Sequence, residues 1–90
     1  MNVNELYLER RAELGKLLEG VKDRLPAKDH DDIKGFILAN EFVLAFEVLV
    51  DAFAEDGLTF TRTEIEAIKS LAKKMGMYQE IVDRYPRGLK

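Results

Sequence analysis

EFVLAFEVLVDAFAEDG, residues 41–57, decides how the chain is read. Laid on a helical wheel at about 100° per residue, Phe42, Phe46, Leu49 and Phe53 fall in one narrow sector. That sector predicts a core face, and each of the four contributes ~1.5–3 kcal/mol on burial. Ala45 and Ala52 flank it on one side, allowing close helix approach, and Val43 and Val50 flank the other. Every charge in the segment is negative. Glu47, Asp51 and Glu55 follow at i, i+4 and i+8 on the opposite side, where like charges repel by a few tenths of a kcal/mol per pair. No cation three or four residues away within the segment relieves them. Leu44 lies between Asp51 and Glu55 on the wheel, and Val48 lies just beyond Glu55.

The rest of the chain extends this helix into an all-α fold. The first helix is expected from near Asn4, with Val3, Tyr7, Arg10, Leu14, Leu17 and Val21 at heptad-like spacing and Leu6 and Leu18 widening the stripe. It is expected to fade between Gly20 and Leu25, because Pro26 disfavours helical geometry in the residue before it. Asp29 is read as the cap of a short second helix, with Asp31 and Asp32 in its first turn and Ile33, Phe36 and Ile37 on its apolar face. Asn40 is expected to end that helix and cap the next. Gly57 stops the quoted segment. The run TRTE then sets Thr61 as a cap and Glu64 three residues on, a capping box. Ile65, Ile68, Leu71, Ala72 and Met75 mark the buried side of the fourth helix, which Gly76 ends after Lys73 and Lys74. A last short helix spans roughly Tyr78 to Arg84, and the tail from Pro86 onward is expected to be loose. The reading is a single domain over residues 1–90, a small bundle of four to five helices.

Ninety residues limit the core, so a function on the surface is expected rather than in a deep cavity. Cysteine is absent, which excludes disulfides and thiolate metal sites. No signal peptide and no membrane-spanning run is legible, so the chain is read as cytoplasmic with no membrane partner. Net charge is −3. Residues 29–61 hold eight acids against Lys34 alone, while the remainder holds thirteen bases and nine acids. A balance of that kind lacks the footprint of a nucleic-acid binder.

Catalytic signatures are missing as well. The lone histidine, His30, stands in the polar run KDHDD, and no phosphate-binding glycine loop occurs. Two calcium-loop look-alikes fail at their glycine and ligand positions. A helix-turn-helix reading fails because the helix before the candidate recognition helix is acidic. The chain is therefore expected to be no enzyme, with no catalytic residues, cofactor or metal. A small enzyme would instead need a pocket at His30 or Tyr85.

The acidic run with aliphatic residues among it fits a basic protein partner, and steering by charge speeds such encounters. Glu47, Asp51, Glu55 and Leu44 are the leading contacts, with Val48 beside them and Asp31, Asp32, Glu41 and Asp56 secondary. The competing reading is a solvated face, or one covered by Lys and Arg from other helices.

The stretches NELYLERRAELGKLL and DDIKGFILANEFVLAFEVLVDAFAEDGLTFTRTEIEAIKSLAKKMGM resemble the MafI-family immunity proteins of bacterial polymorphic-toxin and contact-dependent growth inhibition systems. The shared order is a short helix ending in a Gly/Asn-Glu turn, an A-[FL]-E helix followed by acids, a T/S-x-x-E cap and a late MG, over most of residues 4 to 78. Asn40 stands where glycine is common. The resemblance implies an immunity protein that binds a cognate toxin C-terminal domain, often a nuclease such as an EndoU-type ribonuclease, and blocks it in the producing cell and its siblings. The partner is expected to be a basic nuclease, met 1:1 by a monomer without direct contact to nucleic acid. The other function carried forward is a small helical adaptor or subunit of a larger assembly.

Overall fold

The structure is a computed structural model that describes residues 2–89. Among the described residues five α-helices follow one another: α1 Val3–Val21, α2 Ala27–Leu38, α3 Phe42–Glu55, α4 Arg62–Lys74 and α5 Tyr78–Arg84. A single 3-10 turn, Lys22–Arg24, joins α1 to α2, and no strand occurs among the described residues. Helix α3 is the hub. It packs against α1, α2 and α5, while α4 rests on α1 and α5. None of the described helices is long and apolar enough to cross a membrane.

The hub position follows from the wheel. Phe42, Phe46, Leu49 and Phe53 are all buried, as are Ala45, Val50 and Ala52. Phe53 stacks on Phe60 with ring centroids 3.9 Å apart, and Phe60 meets Tyr85 edge-on at 5.0 Å. Such aromatic pairs add to simple area burial. They fasten the link after α3 and the end of α5 to the same core.

Three helices end in the same way. The residue after each helix's last turn takes a left-handed φ: Asn40 at 61°, Gly57 at 67° and Gly76 at 68°. In each case that residue and the next donate backbone N–H groups back into the helix. Glu41 donates to the Phe36 carbonyl (2.8 Å), Leu58 to Phe53 (2.9 Å) and Met77 to Ala72 (2.9 Å). This is the Schellman pattern, which satisfies carbonyls that the helix itself leaves open. Asparagine tolerates that backbone better than other residues with a side chain.

Several expectations are corrected. Helix α1 starts at Val3, beside the expected Asn4, but its cap is Asn2, which forms a reciprocal capping box with Glu5. Helix α2 starts at Ala27 with Pro26 at the cap position, so Asp29 lies in the first turn and Asp31 and Asp32 in the second. Asn40 is not the cap of α3. That position belongs to Glu41, and no side chain bonds there. The tail is docked: Leu89 is 1 % exposed, and the Tyr78 hydroxyl donates to its carbonyl at 3.1 Å. Lys90, the last residue of that expected loose tail, lies outside the described residues. The α1 stripe divides. Leu14, Leu17, Leu18 and Val21 are buried, whereas Val3, Leu6 and Tyr7 are left exposed at the N-terminal end.

Candidate protein-binding surface

The outer face of α3 is where the acids gather, and the structure divides them into two groups. Arg84, the last residue of α5, reaches across to α3 and donates to Asp51 (2.5 Å) and Glu47 (2.8 Å). The guanidinium fork thus bridges two carboxylates one helical turn apart. Part of the acidic run is therefore structural. Glu47 and Asp51, which repel one another within α3, are covered by a base from another helix, and so tie α5 to α3. The cation that relieves them comes from 33 and 37 residues away, beyond the reach of any local pattern.

The second group has no such partner. Among the described residues no base forms an ion pair with Glu41, Glu55 or Asp56, and all three are exposed. Glu55 is the last residue of α3 and Asp56 its C-cap, where the helix dipole disfavours negative charge. Leu44, one turn from Glu41, is 40 % exposed, and Val43 beside it is 51 % exposed. Val48 differs: it is half-buried and packs against the core.

The two acids on α2 stand elsewhere. Asp32 pairs with Lys28 at 2.8 Å, one turn back. Asp31 points its carboxylate to within 3.7 Å of the His30 Nδ1 and lines a cleft with Lys22, Asp23, Leu25 and Ala27. Neither bonds to the α3 acids among the described residues. The residues lining the clefts at His30 include no hydroxyl or thiol side chain. Tyr85 is buried, and its hydroxyl donates to the Leu58 carbonyl at 3.0 Å, which fixes the end of α5. No cluster of three or more metal-ligating side chains occurs among the described residues.

Two further carboxylates act as internal ties: spacing gives Arg10 as a partner of Glu13 and Thr61 as a partner of Glu64, but not the distant Lys74 and Arg24. Glu13 accepts from Arg10 on its own helix and from Lys74 on α4, both at 2.7 Å. Burial alone would raise its carboxyl, but the two cations pull it below the ordinary carboxylate range. Glu64 is lowered in the same way: burial opposes, while Arg24 and the Thr61 cap prevail. Arg24 also bonds the Thr59 carbonyl (2.9 Å) and lies over the Phe53 ring, so it closes the chain around the α3–α4 link.

The fold and its surface thus define a small all-α bundle whose hub helix carries acids paired to Arg84 at its middle and, among the described residues, unpaired acids at its two ends, with Leu44 and Val43 exposed near its start. No protein-family model matches the chain, and no curated protein or solved structure matches it.

Proposed function

We propose that the chain is an immunity protein that neutralises a basic toxin domain, such as a nuclease of the EndoU type, by occluding it. One copy of the outer face of α3 meets one toxin domain. The resemblance over residues 4 to 78 supplies the class of function. The observation that supports the choice of surface is the state of that face after folding. Arg84 satisfies Glu47 and Asp51, yet Glu41 beside the exposed Leu44 at the start of α3, and Glu55 and Asp56 at its end, stay unpaired among the described residues. Glu55 and Asp56, without a structural partner at the unfavourable end of the α3 dipole, are a cost to the free protein. A cationic partner removes that cost on docking. A nuclease holds phosphates with basic side chains, which suits it to this face, while Leu44 and Val43 offer the apolar contact that charge alone lacks.

The test is binding and protection by the toxin domain encoded beside this chain's gene. A 1:1 complex per chain that weakens with salt and abolishes toxicity is the expected result. Replacing Leu44, Glu41 and Glu55 together (Leu44→Glu, Glu41→Gln, Glu55→Gln) should release the toxin while circular dichroism stays helical. Full protection by that variant would reject the face. A neighbouring gene with no toxic product would instead favour the adaptor reading.

A further inference from the structure

Lys34 is the one base among the eight acids of residues 29–61, and no acid among the described residues pairs with it. Folding brings it to a cleft of about 260 Å³ between α1 and α2. Arg11, Gly15, Leu18 and Lys22 form one wall, spaced at i, i+4, i+7 and i+11 along one face of α1 and the turn after it. His30, Lys34 and Leu38 form the other, one turn apart on α2. Three permanent cations thus line one cleft of a chain whose net charge is −3.

The protein leaves two of them without a counter-charge. Glu19, the acid in the lining, lies 3.9 Å from Lys22, and Asp31 lies 3.7 Å from the His30 Nδ1. Asp23 and Asp31 line the neighbouring cleft. Glu41 follows the Asn40 that holds Arg11, but it does not line this cleft. Arg11 donates to the neutral Asn40 Oδ1 at 2.7 Å, and its Nε is buried without an acceptor among the described residues. A buried donor left unpaired is a cost to the free protein.

Gly15 supports the same reading. It stands in the interior of α1, where glycine destabilises relative to alanine. Its backbone is not left-handed, and an added Cβ would meet nothing within 4 Å. Neither backbone nor packing therefore requires glycine here. Its effect is to keep the wall of the cleft open.

We propose that the α1–α2 cleft binds a small organic phosphate monoester. Such a group is a dianion above about pH 6. Its charge matches Arg11 and Lys34, the two cations without a carboxylate, and both side chains are natural phosphate donors. Leu38, 61 % exposed at the same cleft, gives the ester group an apolar surface. Small-ligand sites combine such apolar walls with a few polar groups. The site does not depend on the immunity role.

The test is an NMR titration of the full chain at about pH 7.5, where the probe is dianionic, with phenyl phosphate beside inorganic phosphate and chloride at matched ionic strength. Saturable amide shifts centred on residues 11–22 and 30–38 are expected, with phenyl phosphate bound at least about fivefold more tightly than inorganic phosphate. Arg11→Gln with Lys34→Gln should weaken phenyl phosphate at least about tenfold. Arg62→Gln with Lys69→Gln removes the same charge from α4 and should change affinity less than about twofold. Gly15→Leu removes a helix glycine, so thermal stability should be equal or higher, yet the side chain fills the cleft and binding should be lost. That variant separates a blocked site from a failed fold. Shifts that never saturate, shifts shared with chloride, equal affinity for the two phosphates, or affinity unmoved by either cleft variant would each overturn the assignment.

Discussion

Two helices carry the same triplet of acids at i, i+4 and i+8: Glu5, Glu9 and Glu13 on α1, and Glu47, Asp51 and Glu55 on α3. In each, a neighbouring helix supplies a cation to two of the three. Lys74 of α4 reaches Glu9 and Glu13, and Arg84 of α5 reaches Glu47 and Asp51. The third acid separates them. Glu5 lies in the first turn of α1, completes a capping box and faces the favourable end of the dipole. Glu55 lies in the last turn of α3, against the dipole, with no base paired to it among the described residues. The same pattern is structural throughout on α1 and only partly so on α3. What α3 leaves over is the part available for a partner.

That contrast can be broken in several ways. The largest expected effect is at Glu13, which accepts from two cations in a partly buried setting. Glu13→Gln should cost about 1.5–2 kcal/mol at neutral pH in urea unfolding. Because the folded Glu13 carboxyl lies below its unfolded value, its contribution is present above the ordinary range near pH 4.3 and disappears as pH falls through the folded value. The difference between Glu13→Gln and the parent should therefore shrink on acidification, and a constant difference down to pH 2 would count against the tie. Arg84→Ala comes next, at about 1 kcal/mol, since it leaves Glu47 and Asp51 repelling on a largely solvated surface. Adding Glu47→Gln and Asp51→Gln should recover part of that loss.

The two smallest effects have opposite signs. Glu5→Lys should destabilise by about 0.5–1 kcal/mol through the cap and the dipole. Glu55→Lys should stabilise by about 0.3–0.5 kcal/mol, because it relieves both like-charge repulsion and the dipole. Equal signs for the two reversals in thermal unfolding would show that the triplets are alike after all.

Much of the fold was legible locally. The Phe42, Phe46, Leu49 and Phe53 face, the stops at Gly57 and Gly76 and the Thr61–Glu64 capping box each depend on residues within a few positions of one another. The start of α2 differs from the expected one because Asp29 has the chemistry of a cap, whereas Pro26 sets the entry with its fixed φ and its carbonyl accepts from the His30 N–H. The docking of the tail is not legible because RGLK contains a single apolar residue, and the burial of Leu89 depends on the folded core and on the Tyr78 hydroxyl that donates to its carbonyl. At the surface, the grouping of acids on α3 could be read from the wheel. Which of them folding leaves unpaired could not, because Arg84 arrives from a distant helix.

The most direct measurement is a calorimetric titration of the neighbour-encoded toxin domain with Glu55→Lys beside the parent protein. Affinity about tenfold weaker, a change near 1.4 kcal/mol, in a variant that is itself no less stable is the expected result. Unchanged affinity would contradict the assignment of α3's unpaired acids to a partner.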